Sequence, residues 1–218
     1  MAFIPRMAAW AARRFIMFLD SLLRRAYRIR EISPTENGLL RIGPGRARQG
    51  LTLSDGTVVK PGDLLIELHL WNERLPLRAS WPDVRWGIAV LRLLRRSLSL
   101  LAEEVQRNPG WSTVSALHGE MVFMDADADV AEQVVRHLGF DWIVPPAPTT
   151  FAGRFGRFWQ NVYAWWLMWA FNPATLRKKR RQNLARGHAW MSRRTLLARY
   201  GPRVAAGASE QSVAEGRT

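Results

Sequence analysis

Leu51-Thr52-Leu53-Ser54-Asp55-Gly56-Thr57-Val58-Val59-Lys60-Pro61-Gly62-Asp63-Leu64-Leu65-Ile66-Glu67-Leu68-His69-Leu70-Trp71-Asn72 is the stretch that decides the fold. Leu51 to Leu53 and Thr57 to Val59 flank Ser54-Asp55-Gly56, which predicts a β-hairpin. Pro61-Gly62-Asp63 is a second turn. From Leu64 the pattern alternates. Leu64, Ile66, Leu68 and Leu70 share one face of a strand, and Leu65, Glu67, His69 and Trp71 share the other. Upstream, Leu39 to Ile42 reads as a short strand, Gly43-Pro44-Gly45 as a turn, and Ser33-Pro34 with Asn37-Gly38 as the break that opens the domain.

Downstream, Ser80 with Asp83 three residues on forms a variant capping box, with Pro82 in the first turn. The helix they open runs to about Arg107 and stops at Asn108-Pro109-Gly110. Leu117 to Met124 is a strand, Asp129 to Leu138 a helix closed by Gly139, and Phe140 to Val144 a last strand before Pro145-Pro146. The order predicts an α+β domain with a small, mostly antiparallel sheet and packed helices, not a regular βαβ series. We read residues 32–145 as this core, 1–31 as an amphipathic basic helix, 146–203 as an aromatic and basic helical segment, and 204–218 as a disordered tail.

The 218 residues carry a net charge of +14, and that charge is segregated. Met1 to Arg30 is +6, Glu31 to Asp141 is −3, and Trp142 to Ser209 holds twelve basic residues without one acid. An ordinary, slightly acidic core is thus flanked by two strongly cationic ends, the electrostatic footprint of a partner that is anionic lipid or nucleic acid. There is no Cys, which excludes thiol nucleophiles and thiolate-ligated zinc and fits a reducing compartment. Arg13-Arg14-Phe15 looks like a twin-arginine signal, but the apolar run after it ends at Asp20 and is too short for a signal h-region. The expectation is an uncleaved N-terminus and a peripheral position on the cytoplasmic face of a bacterial membrane.

Phe3 to Arg28 has helical periodicity, with Arg6, Arg13, Asp20 and Arg24 in one stripe and Phe15, Phe18, Leu19, Leu22 and Leu23 covering much of the rest. From Phe151 to Phe171, nine of 21 residues are aromatic. Phe151, Phe155, Phe158, Trp159, Trp165, Trp166 and Trp169 fall on one side of a helix, with Arg154, Arg157, Gln160 and Asn161 on the other. Arg177-Lys178-Lys179-Arg180-Arg181 then opens a basic helical stretch to Tyr200. One-sided aromatics with Arg opposite suit a helix lying in the headgroup plane. Packing on the core and spanning the bilayer stay open, although Gln160, Asn161, Asn172 and Pro173 dilute the uncharged run. Nucleic acid is the rival partner, but the aromatics precede the basic run instead of interleaving with it, which suits lipid better than a stacking platform.

The quoted stretch resembles the YkoP-like family of bacterial proteins: Asp55-Gly56-Thr57, then Gly62-Asp63, then an apolar strand with Leu68-His69-Leu70-x-Asn72. Leu138-Gly139-Phe140 is similar too, and the likeness covers roughly Asn37 to Val144. It implies a domain that stands alone or is attached to polysaccharide deacetylase domains, hence an accessory role in envelope polysaccharide or glycolipid metabolism with such an envelope enzyme as partner. His69 and Asn72 are the positions matching its pattern that are able to do chemistry.

Glu67 and His69 share a strand face, as do His118 and Glu120. Were those strands neighbours, two His and two carboxylates would converge for acid–base work or a metal. A hydrolase or transferase using His69 as general base, with Glu67 or Asn72 orienting it, is the enzymatic alternative. The competing account is that His69 only caps a strand end through Asn72. Asp125, Asp127 and Asp129 lack the glycine and distal Glu of a calcium loop and suit helix capping better. Gly43-Pro44-Gly45 to Gly50 lacks the Gly-Lys-Ser/Thr of a phosphate loop. No cofactor and no metal is expected.

Overall fold

The structure, a computed structural model, describes residues 6–33, 38–71, 74–76, 84–124, 128–146, 148–151, 153–156, 158–159, 161–162, 166 and 184–202. Its strands are β1 (Arg30–Glu31), β2 (Leu40–Arg46), β3 (Leu51–Thr52), β4 (Val58–Val59), β5 (Leu64–Leu70), β6 (Ala116–Met124), β7 (Asp141–Ile143) and β8 (Leu184–Ser192). The helices are α1 (Arg6–Ala26), α2 (Val84–Arg107), α3 (Ala128–His137) and α4 (Arg193–Tyr200). Six strands form one sheet in the order β1-β2-β5-β6-β8-β7, and β3 with β4 forms a separate hairpin. Among the described residues only β5 and β6 pair in parallel, because α2 crosses over between them; the other pairs are antiparallel. The α+β class expected from the sequence is the class observed.

Two regions depart from the expectation. Gly43-Pro44-Gly45 is no turn but the middle of β2, paired with Glu67, Ile66 and Leu65. Pro44 is tolerated because β1 reaches only Arg41 and Ile42, so β2 is an edge beyond that point and needs no amide there. The second departure is the basic stretch: residues 184–192 form β8, a strand inside the sheet between β6 and β7, and only 193–200 are helical. The core therefore extends to Tyr200 instead of closing at residue 145. The helix caps proposed at Ser80, Pro82 and Asp83, and the residues Asp125 and Asp127, lie outside the described residues, as does the tail from 203.

One sheet face is apolar and carries the core. Ile42, Ile66, Leu117 and Met191 meet Leu98, Leu101 and Val105 of α2, Val135 of α3 and Leu196 of α4. Each such side chain contributes roughly 1.5–3 kcal/mol when withdrawn from water. Ser97 is fully buried on α2 but is satisfied: its Oγ accepts from the Leu39 amide at 2.7 Å and donates to the Leu93 carbonyl at 2.8 Å. Helix α3 ends as expected, with Gly139 at φ 91° and the paired bonds Gly139 N to Arg136 O and Phe140 N to Val135 O. Helix α1 ends with the same motif, Arg28 N to Arg25 O and Ile29 N to Arg24 O, but the left-handed position is occupied by Arg28 at φ 53°. An L side chain there costs about 1 kcal/mol relative to glycine.

Asp55, at the tip of the β3–β4 hairpin, ties it to the start of α4. Its Oδ2 accepts from Ser192 Oγ at 2.5 Å and Thr195 Oγ1 at 3.0 Å, while Ser192 itself caps α4 by accepting from the Thr195 amide. The hairpin thereby covers one end of the second sheet face, with Ala47, Leu53 and Val59 against Leu65, Ala116 and Trp190.

Candidate functional site

The second sheet face is polar at its centre. Parallel register sets Glu67 on β5 beside His118 on β6, and antiparallel register sets His118 beside Trp190 and Glu120 beside His188 on β8. Three residues from three strands then bond in series. His118 Nδ1 lies 2.7 Å from Glu67 Oε2, and His118 Nε2 lies 2.7 Å from His188 Nδ1. A carboxylate only accepts, so the His118 Nδ1–H donates to Glu67. The tautomer with the proton on Nδ1 makes His118 Nε2 the acceptor for the His188 Nδ1–H, and this assignment leaves the lone pair of His188 Nε2 outermost. The two imidazole planes lie 12° apart with centroids 5.0 Å apart, edge to edge as the bond requires. Trp190 packs beneath His118 at 4.3 Å between centroids and is itself buried.

Glycines open the floor for this row. A Cβ on Gly45 would stand 2.5 Å from Glu67 Cγ, and one on Gly43 would meet the Tyr27 carbonyl at 3.3 Å and His69 Nε2 at 3.7 Å. The glycine-rich run, which lacks a phosphate-loop signature, thus serves to admit Glu67 and the end of α1. Burial holds the His188 imidazole below its ordinary pKa, and the neighbouring His118 acts in the same sense. Burial also lowers His69, with Glu67 opposing and His118 and Arg41 reinforcing the shift. Both rings are therefore neutral at pH 7, the form able to accept a proton. Among the described residues, no group of three or more His, Asp or Glu is arranged to hold a metal ion.

Of the residues singled out from sequence, Glu67 and His69 share this face, but Glu67 bonds His118. Asn72 lies outside the described residues. His188 is the site residue that the sequence analysis does not single out, because the basic stretch around it has the composition of a helix. The available signal was the alternation Arg186, His188, Trp190 against Gly187, Ala189, Met191.

The aromatic segment is helical at Phe151, 153–156, 158–159 and 161–162. Phe151, Phe155, Phe158 and Trp159 are 83%, 55%, 57% and 51% exposed. Their rings form a continuous row, 6.4 Å from Phe151 to Phe155 and 6.1 Å from Phe155 to Trp159. The opposite side holds the protein: Asn161 Oδ1 accepts from Arg186 at 2.6 Å, and Arg186 also pairs with Glu120. Trp166 is half-buried. Trp165, Trp169, Arg177, Lys178, Lys179, Arg180 and Arg181 lie outside the described residues. On α1 the outward face is apolar as well, with Phe15, Phe18 and Leu22 all more than half exposed, while Ile16 is buried. No helix among the described residues is long and apolar enough to cross a membrane.

The chain that folds into this mixed sheet matches a family model described as the YkoP domain over residues 11–200, and it belongs to that family. Among curated proteins it is similar to one of Bacillus subtilis (strain 168) named "Uncharacterized protein YkoP", 28% identical over 100 residues. The match covers 45% of this chain and 50% of that protein, so it spans half the length of the relative. No solved structure matches the chain.

Proposed function

We propose that this protein is a peripheral membrane protein that docks on anionic lipid through its two ends, as an accessory module of envelope polysaccharide or glycolipid metabolism. The observation that carries the docking is the row Phe151, Phe155, Phe158 and Trp159, more than half exposed on a helix whose other side is tied to the sheet. Soluble monomers rarely expose contiguous aromatic surface of this kind. Full withdrawal of one such ring from water is worth about 2 kcal/mol. The outward Phe15, Phe18 and Leu22 of α1 offer a second apolar strip, flanked by Arg14 and Arg25. The glycan role rests on the family resemblance.

Co-sedimentation with vesicles tests this. The full chain is expected to pellet with phosphatidylglycerol-containing vesicles at low salt and to keep part of that binding at high salt. Phe155→Ala with Trp159→Ala removes the salt-resistant part. If the protein stays in the supernatant at low salt, or pellets only when DNA is added, the membrane reading is wrong.

A second reading is favoured by the Glu67–His118–His188 series, which has the geometry of an oriented general base. In it, His188 Nε2 takes the proton of an attacking hydroxyl or water while Glu67 fixes the tautomer of His118. This moves the base of a hydrolase or transferase from His69 to His188. Long-range ¹⁵N correlation spectra report the tautomers directly. Glu67→Gln is expected to change the His118 and His188 signals together, and unchanged signals refute the series.

A further inference from the structure

A cavity opens between the C-terminal end of α1 and β1–β2, on the His69 side of the site, since Arg41 in its lining pairs with His69 across β2 and β5. It is an open recess of about 390 Å³ lined by Arg24, Arg25, Arg28, Arg30 and Arg41, with Glu31 the lone carboxylate among the described residues of its lining. Neighbouring acids account for part of this charge. Asp20 pairs with Arg24 at 3.2 Å and Glu104 with Arg30 at 2.8 Å. Even with these two and Glu31 set against the five guanidiniums, a positive excess remains. The partial negative charge at the end of α1 explains a cation in its last turn, as at Arg24 and Arg25. It does not explain Arg28, which stands past the helix end in the left-handed conformation where glycine is preferred. Arg25 and Arg28 form no ion pair among the described residues. Arg41, by contrast, is only 7% exposed and held flat against Trp71, its guanidinium carbon 3.8 Å from the ring centroid. The cavity thus combines one buried, stacked guanidinium with two exposed ones around a volume suited to a small ligand.

We propose that this cavity binds a phosphate group, the anion whose oxygens the guanidinium fork matches in pairs. Two sources share this chemistry: the phosphate of a lipid headgroup and a soluble phosphate ester. Leu22 and Phe18 lie one and two turns back from Arg25 on the outward side of α1, so a headgroup in the cavity has its chains beside them. The lipid source rests on the docking proposed above, whereas the phosphate site does not.

The test separates the two. Glycerol 3-phosphate is titrated into the full chain by calorimetry, with chloride at matched ionic strength as control, and retention on phosphatidic acid vesicles is measured in parallel. Wild type is expected to bind glycerol 3-phosphate. Arg25→Ala and Arg28→Gly are each expected to weaken it by about tenfold, the loss of one charge-assisted contact. Arg28→Gly also raises the melting temperature because it relieves the left-handed Arg, so loss of binding there is not loss of fold. If both variants also lose retention on phosphatidic acid vesicles, the lipid is the source. If retention is unchanged while glycerol 3-phosphate binding falls, the site stands and serves a soluble ester. Absence of glycerol 3-phosphate binding by wild type, or binding unchanged in both variants, overturns the proposal whatever the vesicles show. Failure of the docking reading shows instead as vesicle retention that is absent or indifferent to Phe155→Ala with Trp159→Ala.

Discussion

Asp55 is the residue at which the family motif is most open to a quantitative test. Its Oδ2 receives Ser192 Oγ at 2.5 Å, Thr195 Oγ1 at 3.0 Å and Arg194 Nε at 3.3 Å, and its Oδ1 receives the Thr57 amide at 2.9 Å. Burial by itself raises the carboxyl pKa, but the bonds from Ser192, from the backbone and side chain of Thr57, and from Thr195 outweigh it and hold the group well below the ordinary range. Asp55→Ala removes all four acceptances. The hydroxyls regain partners within their own cap, since Ser192 and Thr195 also bond each other, and the Arg194 contact is exposed. The net loss is then about 3 kcal/mol, roughly two effective charge-assisted bonds. For a chain of this size that lowers the melting temperature by about 6–12 °C. Asp55→Asn keeps one acceptor and is expected to cost about a third as much. The pH dependence has a definite sign. A carboxyl depressed in the folded state contributes stability above its unfolded value near 3.8 and loses it as pH falls below that value. Thermal unfolding followed by circular dichroism at pH 7 and at pH 3 reads both effects. An Asp55→Ala protein that melts within 2 °C of wild type at pH 7, or whose acid-side loss equals that of wild type, refutes the clamp.

Gly187→Ala is expected to be more damaging than its size suggests. Its Cβ would fall 1.8 Å from Trp142 Cζ2 and 2.0 Å from Cη2, and a rigid indole cannot yield by the amount required. A loss of about 2–3 kcal/mol in urea unfolding is expected, and an unchanged midpoint contradicts the packing described. The three atoms nearest to a Cβ at Gly45 all belong to the flexible Glu67 side chain, so in Gly45→Ala the fold is expected to survive while the Glu67–His118 bond is lost; retained His118 tautomer signals refute this. His69 and His188 are imidazoles whose pKa is depressed on folding, so the unfolded chain binds more protons below pH 6.5. Stability is therefore expected to fall as pH drops from 6.5, and His69→Gln to flatten that fall; parallel slopes in wild type and variant count against a buried neutral His69.

Much of the fold was legible because period and punctuation agree. The alternation from Leu64 to Trp71 assigns the two faces of β5 as they are observed, and Asn108-Pro109-Gly110 and Gly139 end their helices where glycine and proline must. The two misreadings have one cause each. Gly43-Pro44-Gly45 has turn composition, but whether proline breaks a strand depends on whether a neighbour needs its amide. Here β1 is only two residues long, a fact about strand order that no local window contains. Residues 184–192 were read as helix because twelve basic residues without an acid dominate the C-terminal segment, and charge carries no information about backbone period.

The candidate site was half legible for the same reason. Glu67 and His69 are visible as one strand face, since that needs only period two. Bringing His118 beside Glu67 requires the parallel crossover through α2, and bringing His188 beside His118 requires β8 to enter the sheet with a sequence separation of 70 residues between the two histidines. The motif that carries the resemblance is therefore not the set of residues that the sheet brings together at the candidate site. Asp55, Gly56 and Gly62 shape and clamp a hairpin, with both glycines at positive φ, and their spacing is fixed by turn geometry. The Glu67–His118–His188 series has no fixed spacing because each member arrives on a different strand. A short contiguous pattern reports where the backbone is constrained, while a site assembled across β5, β6 and β8 leaves in the sequence only isolated histidines on alternating faces.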